Sequence, residues 1–310
     1  MPHSEADRTE MLAVAGVPSV ESLYADVPAD LRLSRPLALP DPLSEWEAVR
    51  LLEEYAGENP PLLSFAGAGI YDHHVPAAVD HLIRRSEFYT AYTPYQPEVA
   101  QGTLQSIYEF QTMVCELTGL DVANASMYDG ASATAEAALM ALAVTRRNRL
   151  VIAGALHAHY GRVVETYLAG QETEIVRVAA GDDGRIDAGA AAGALDDESA
   201  ALLVQTPNFF GLIEDLAPLA ELAHGHGSLL VVAVADPLSF ALLEPPGALG
   251  ADIVAAEGQP LGNAPSFGGP VVGLFAAREK LIRRMPGRIV GATTDAEGRR
   301  GYVLTLQTRE

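Results

Sequence analysis

One loop has the composition of a segment that presents a reactive group. Residues 255–270 read AAEGQPLGNAPSFGGP and follow the apolar run 251–254. The candidate group in this loop is the amide of Gln259, which cannot form the Schiff base that a lysine amine forms. Lysine and arginine together number 20, and Lys280 is the only lysine among them. Schiff-base chemistry must therefore use Lys280 or a lysine from another polypeptide.

A second candidate group is the start of a predicted helix at residues 127–132, MYDGAS. Unpaired backbone N–H groups and the helix dipole favour an anion at such a position. Gly130, Ala131 and Ser132 are therefore candidates to bind a phosphate. An ordinary helix cap formed by Asp129 or Ser132 is the alternative interpretation.

Polar side chains also follow several predicted strands. His157 ends one strand, where an imidazole can stack on a cofactor ring or carry protons. Asp236 ends the most apolar strand and could pair with a protonated pyridine nitrogen, although aspartate before proline is also a common turn former. Asn208 ends a third strand. Together with the candidate phosphate-binding residues, His157, Asp236 and Asn208 indicate one cofactor site. The spacing of the histidines does not favour a metal site.

Charge and hydropathy exclude two classes of partner. Forty-one acidic residues against 20 basic ones give a formal net charge of −21, which repels nucleic acid. No apolar run approaches the roughly 20 residues that span a bilayer. Because the first ten residues are also too acidic for a signal peptide, we expect a cytoplasmic protein without a membrane partner. Cys115 lies in a helical pattern and is interpreted as a packing residue.

The elements that position these residues alternate between two periodicities. Helices are predicted over 101–119, with Gln111 as the one break, and from Gly130 to about Arg146. Short apolar runs predict strands at 150–153, 174–178, 201–204, 229–234, 252–255 and 271–275. Helical stretches between them predict an α/β domain over 61–287 with a mostly parallel sheet flanked by helices. We expect residues 1–60 to form an N-terminal arm with short helices and 288–310 to form two strands that begin a connection to a further domain.

Five segments of the chain resemble a known family. They are residues 64–76 (SFAGAGIYDHHVP), 91–105 (AYTPYQPEVAQGTLQ), 128–132 (YDGAS), 257–262 (EGQPLG) and 266–270 (SFGGP). Together they resemble the glycine decarboxylase of the glycine cleavage system, called the P-protein. The similarity is greatest to subunit 1 of the bacterial forms that divide the enzyme between two chains.

The resemblance implies a type I pyridoxal-phosphate-dependent transferase fold and glycine as the substrate. In that family, glycine loses its carboxylate on pyridoxal phosphate and passes an aminomethyl group to the lipoyl arm of the H-protein. A lysine of the catalytic subunit follows the strand equivalent to 252–255, where this chain has Gln259. We therefore expect subunit 2 to hold the cofactor covalently and this chain to be inactive alone. The vestigial-site candidates of this chain are Gly130, Ala131, Ser132, His157 and Asp236.

This chain could still contribute to an active site of its partner, because type I enzymes build their sites across a dimer interface. Tyr92, Tyr95 and Gln96 are the candidates for a wall of that site, since prolines stiffen their tyrosine-rich loop. Interface packing alone is the other interpretation of these residues. The family's first subunit continues into a C-terminal small domain, which we expect to be missing here.

Two other functions stay open at this point. The first is a stand-alone pyridoxal-phosphate lyase or aminotransferase that uses Lys280. The second is a non-catalytic scaffold with an empty pocket, because a fold does not guarantee a function.

Overall fold

A computed structural model describes residues 3–63, 65–89 and 92–306. The chain divides into two compact units, Met1–Phe65 and Ala66–Glu310. The sequence predicts the boundary between the N-terminal arm and the α/β domain between residues 60 and 61. These domain bounds stay a prediction.

The first unit is helical and buries none of its described residues. Ser4 and Ser44 each form a capping box, in which the serine exchanges hydrogen bonds with Asp7 and Glu47, respectively. Large apolar side chains such as Trp46 stay exposed. The unit contains α1 (Glu5–Ala15), α2 (Glu45–Gly57) and the 3-10 turns Val20–Tyr24 and Ala29–Leu31.

The second unit alternates helices with strands, as the changes in periodicity predict. Its helices are α3 (Ala77–Ile83), α4 (Ser86–Tyr89), α5 (Gln101–Thr118), α6 (Gly130–Thr145), α7 (Ala158–Leu168), α8 (Ala188–Ala194) and α9 (Leu216–Gly225). Its strands are β1 (Val122–Ala123), β2 (Arg149–Ala153), β3 (Glu174–Val178), β4 (Ser199–Gln205), β5 (Leu229–Val234), β6 (Ile253–Glu257), β7 (Gly273–Ala277), β8 (Ile289–Thr294) and β9 (Arg300–Thr305). Short 3-10 turns lie at Pro97–Val99, Pro237–Ala241, Gln259–Leu261 and Glu279–Arg284.

Seven strands form the main sheet in the order β1-β7-β6-β5-β4-β2-β3. Strands β2 to β6 pair with one another in parallel, whereas β7 is antiparallel to both of its neighbours, β1 and β6. The prediction of a mostly parallel sheet is therefore confirmed. The carboxyl ends of β2, β4, β5 and β6 meet at one edge, which we call the carboxyl edge of the sheet.

Both faces of the sheet are covered, so its central strands β4 and β5 are buried along their whole length. Leu202 and Val204 of β4 pack into one cluster with α9, while Ala201 and Leu203 pack into the other cluster with α6 and α7. The alanines of α6 leave little side-chain bulk, which lets this helix lie close to the sheet. The position of its N-terminus is therefore fixed by tight packing.

A separate hairpin of β8 and β9 packs on α5, as predicted for two strands around a turn. Gln111, which breaks the apolar pattern of α5, is only 7% exposed. Its side-chain oxygen accepts a hydrogen bond from Val290 N at 2.9 Å, and its amide nitrogen donates to Val290 O at 3.0 Å. The buried amide therefore satisfies both backbone groups of one β8 residue.

Candidate functional site

The carboxyl edge of the sheet brings together several of the residues that the sequence singles out. His157 follows β2, Asn208 follows β4, Asp236 follows β5 and Gln259 follows β6. The N-terminus of α6 reaches the same edge, because Gly130 N donates to the side chain of Glu257 at the end of β6. Ligand sites of open α/β sheets lie at this edge.

At the start of α6, most of the backbone donors that a phosphate would need already have partners within the chain. Ser132 N donates to Asp129 Oδ1 at 2.7 Å, and Asp129 N donates to Ser132 Oγ at 3.2 Å. These two hydrogen bonds form a capping box with Asp129 as the cap. Gly130 N donates to Glu257 Oε2 at 2.9 Å. The helix is therefore capped by two carboxylates of the chain itself.

Glu257 was not singled out from the sequence, yet its carboxylate accepts three backbone hydrogen bonds at this position. Besides Gly130 N, its carboxylate accepts from Gly258 N at 3.1 Å and from Gln259 N at 2.9 Å, both through Oε1. Burial raises the pKa of Glu257; the three N–H groups oppose this rise, and the charge of Asp129 adds to it. An acidic residue directly between an apolar strand and a glycine was the only local signal for this role.

Tyr160 lies beside Gly130 and Glu257. Burial and the charges of Glu257 and Asp129 raise the pKa of its hydroxyl far above the usual value, so the hydroxyl stays protonated. A Cβ added at Gly130 would contact this hydroxyl and would lie 2.8 Å from Glu257 N. Glycine at position 130 is thus what allows the helix to approach the end of β6.

His157 is half-buried against aromatic rings rather than open to the solvent. Its ring centroid lies 5.3 Å from that of Tyr160 and 5.5 Å from that of Phe209. Burial lowers the pKa of His157, the charge of His159 lowers it further, and a hydrogen bond with the Ala68 backbone opposes both effects. Because Nδ1 accepts from His159 N at 3.1 Å, the neutral ring carries its proton on Nε2.

Asn208 uses its side chain to hold the backbone at the end of β4. Its Nδ2 donates to Gly184 O at 2.9 Å and to Glu214 Oε1 at 2.6 Å, while its Oδ1 accepts from Phe210 N and Leu212 N. Glu214 is buried as well and accepts from Ile186 N. All hydrogen-bonding groups of the Asn208 amide are therefore occupied by local structure.

Asp236 is exposed and caps a short 3-10 turn. Its Oδ1 accepts from Leu238 N at 3.0 Å, and its backbone oxygen accepts from Ser239 Oγ at 2.7 Å. This is the geometry of a turn former, the alternative that the sequence left open.

Gln259 is 2% exposed and does not present its amide to the solvent. Its Nε2 donates to Asn263 O at 2.5 Å, which closes the turn after β6. Gln259, which stands where the resemblance implies a lysine in the catalytic subunit, therefore uses its side chain to stabilise its own loop.

Lys280 lies at the opposite edge of the sheet. Its Nζ is 3.1 Å from Oδ1 of Asp252, the buried residue that precedes β6, and His224 Nε2 is 2.7 Å from the other oxygen of that carboxylate. Glu257, at the other end of β6, lies five residues after Asp252, and a rise of about 3.3 Å per residue separates the two by roughly 16 Å. Lys280 is therefore remote from the residues gathered at the carboxyl edge.

Tyr92, Tyr95 and Gln96 form an exposed segment of the second unit. Tyr92 is 88% exposed, whereas the Tyr95 hydroxyl accepts from Arg288 Nη2 at 3.0 Å. The Arg288 guanidinium also lies 5.6 Å from the centroid of the Tyr95 ring. Tyr95 is thus held in place, while Tyr92 has a free surface in this chain.

Residues 3–63, 65–89 and 92–306 contain neither a candidate metal cluster nor a helix that could span a membrane. No group of three or more His, Cys, Asp and Glu side chains in this part of the chain is arranged to hold a metal ion. No helix within the same ranges has the length and apolar character needed to cross a membrane. Burial and neighbouring acids raise the pKa of the Cys115 thiol to about 11, which leaves it unreactive.

Comparison with known proteins gives matches along the whole chain. The family model described as "Glycine cleavage system P-protein" matches residues 1–310. A protein of Desulforamulus reducens named "Probable glycine dehydrogenase (decarboxylating) subunit 1" is 54% identical over 313 residues, and a protein of Carboxydothermus hydrogenoformans with the same name is 53% identical over 312. Each alignment covers 100% of this chain and 70% of the relative.

Solved structures give the same result. A crystal structure of glycine decarboxylase (P-protein) of the glycine cleavage system, in inhibitor-bound form, matches with a TM-score of 0.92 and 46% identity. That match covers 100% of this chain and 69% of the other. A sphingosine-1-phosphate lyase of Burkholderia pseudomallei is 16% identical, with a TM-score of 0.57 over 89% of this chain and 67% of that one. The second likeness concerns the fold alone.

Proposed function

The chain belongs to the glycine cleavage system P-protein family, and on that premise we propose that it is subunit 1 of a two-subunit glycine decarboxylase. Its fold is the type I pyridoxal-phosphate-dependent transferase fold that the sequence predicts. The observation that carries the proposal is the identity of more than half the residues, along the whole chain, with relatives named as subunit 1.

The proposed complex acts on glycine. Glycine is decarboxylated, and its aminomethyl group passes to the lipoyl arm of the H-protein. Pyridoxal phosphate supplies the electron sink for the carbanion that decarboxylation leaves. We place this hetero-oligomer in the cytoplasm, with neither a membrane nor nucleic acid as a partner.

The residues of this chain do not fit covalent attachment of pyridoxal phosphate. The buried amide of Gln259 cannot bond to an aldehyde, and Lys280 pairs with Asp252 at the other edge of the sheet. We therefore assign the covalent lysine to subunit 2. His157 and Asp236 keep positions at the carboxyl edge, but each side chain accepts a hydrogen bond from the backbone N–H two residues further along the chain.

The contribution of this chain to catalysis is proposed to be a wall of the partner's site. Tyr92, Tyr95 and Gln96 are exposed here, and two phenol rings with one amide can both cover a pocket and donate hydrogen bonds into it. The contact of Arg288 with Tyr95 holds one end of this segment in a defined position.

Borohydride trapping of the assembled complex tests where the cofactor is held. The chain is combined with subunit 2 and pyridoxal phosphate, reduced with borohydride and digested for peptide mass spectrometry. We expect the adduct on a lysine of subunit 2 and none on Lys280. An adduct on Lys280 would contradict the assignment and support a stand-alone lyase or aminotransferase.

A matched variant separates the two functions by activity. Lys280→Arg keeps a positive charge to pair with Asp252 but cannot form a covalent bond with the cofactor. We expect the complex with this variant to release carbon dioxide from glycine at the wild-type rate. A stand-alone enzyme that uses Lys280 would lose its activity.

A further inference from the structure

Three backbone N–H groups from two separate segments point at one carboxylate. Gly130 N belongs to the first turn of α6, whereas Gly258 N and Gln259 N follow β6. All three donate to Glu257, over distances between 2.9 and 3.1 Å. Convergent backbone N–H groups at a helix N-terminus form the arrangement that proteins use to bind phosphate.

The backbone N–H of Ser132, at the same end of α6, also donates its hydrogen bond to a carboxylate. Ser132 N donates to Asp129, so two acidic side chains share the helix N-terminus. A phosphate bound there would have to displace Glu257 and would lie beside Asp129. The negative charges of the phosphate and of Asp129 would repel each other. This repulsion opposes phosphate binding in addition to the cost of displacing Glu257 from its backbone N–H donors.

The arrangement depends on tight packing around Glu257. Gly130 is buried and has no room for a Cβ against Glu257 N and the Tyr160 hydroxyl. Most of Glu257 is shielded from solvent, which makes its hydrogen bonds to backbone N–H groups difficult to exchange for water. The contact is therefore a fixed part of the fold rather than one of several positions of a surface side chain.

We infer that Glu257 is an internal anion that occupies the place of a cofactor phosphate, so that this chain closes its own phosphate site. The identity of the excluded ligand as pyridoxal phosphate rests on the proposed function, whereas the closure itself rests on the contacts of Glu257.

Removal of the carboxylate should open the site to inorganic phosphate. The full 310-residue chain is prepared as wild type, as Glu257→Ala and as Glu257→Ala with Asp129→Ser, in which serine can still cap α6. Phosphate is titrated at constant ionic strength while the amide signals of Gly130, Gly258 and Gln259 are followed by ¹⁵N NMR. We expect at least one variant to bind phosphate about tenfold or more tightly than the wild type, because a like charge is removed.

A control and a folding check make each result decisive. Glu136→Ala removes another half-buried acid of α6 that is not among the hydrogen-bonding partners of Gly130 and should leave phosphate affinity unchanged. Folding of each variant is checked by the dispersion of its NMR spectrum. If the folded variants do not gain affinity, or if the wild type already binds phosphate through these amides, the inference is wrong.

Activity of the wild-type complex separates this inference from the proposed function. A gain of phosphate binding in the variants together with an inactive wild-type complex would support the closure and contradict the glycine decarboxylase proposal. An active complex without any gain of phosphate binding would do the reverse.

Discussion

At the scale of single residues, the titration of Glu257 gives the most direct test of its environment. Burial raises the pKa of its carboxyl group above the usual value of 4.5, although three N–H groups oppose the rise. We expect the side-chain carboxyl signal in ¹³C NMR to titrate above 4.5. The amide signals of Gly130, Gly258 and Gln259 should move with the same midpoint, because all three donate to this group.

The sign of the effect on stability follows from the direction of this shift. The pKa of Glu257 is higher in the folded chain than in the unfolded chain. The contribution of this residue to the free energy of unfolding is therefore fully present below the unfolded pKa and is lost as the pH rises through the folded pKa. Glu47 is the matched control, because a hydrogen bond from the Ser44 hydroxyl lowers the pKa of that exposed carboxyl. Equal midpoints for the two residues would contradict the buried contact of Glu257.

At the scale of elements, the approach of α6 to β6 depends on glycine at position 130. A Gly130→Ala substitution places a methyl group against Glu257 N and the Tyr160 hydroxyl. Overpacking of this kind costs about 1–3 kcal/mol, so we expect a lower free energy of unfolding by that amount in urea denaturation.

Gly102→Ala in α5 is the control for helix propensity. A Cβ at Gly102 meets no heavy atom within 4 Å, and alanine favours a helix over glycine by about 1 kcal/mol. This variant should therefore be as stable as the wild type or slightly more stable. A Gly130→Ala chain that matched it would show that α6 can move away from β6 without cost.

The order of helices and strands in the α/β unit could be predicted because its strands are buried. β5 is apolar at every position and β4 is apolar between Ser199 and Gln205, and turn residues follow both strands. Gln111 could not be explained by such a local pattern, because it is a polar residue on the buried face of α5. Its partner is the Val290 backbone, 179 residues away, which no local pattern contains.

The candidate site could be predicted only in its outline. Parallel strands bring His157 and Asp236 to one edge, but the hydrogen bonds of their side chains depend on loop conformations, and one bond of His157 reaches the distant Ala68 backbone. Glu257 was not predicted as a site residue because Gly130, whose backbone N–H donates to it from α6, is 127 residues distant in the chain. The place of Lys280 depends on the antiparallel direction of β7, which returns the chain to the amino end of β6.

At the scale of the whole molecule, the exposed segment with Tyr92, Tyr95 and Gln96 distinguishes a catalytic partner from a scaffold. We expect Tyr92→Phe, Tyr95→Phe and Gln96→Leu each to lower kcat/KM for glycine in the complex. Loss of one hydrogen bond to a charged group costs about 1.5–3 kcal/mol, which corresponds to roughly 10- to 150-fold in rate. The measurement is carbon dioxide release by the complex of each variant with subunit 2.

Assembly must be measured in the same samples, since these residues could also serve as packing at the interface. Tyr89→Phe is the control, because Tyr89 is likewise exposed and lies outside the candidate segment. Native mass spectrometry should find every variant assembled with subunit 2, so that a loss of rate at full assembly assigns the segment to the wall of the partner's active site. Unchanged rates at full assembly, or rates that fall only in proportion to lost assembly, would instead identify the segment as a packing surface and this chain as a scaffold.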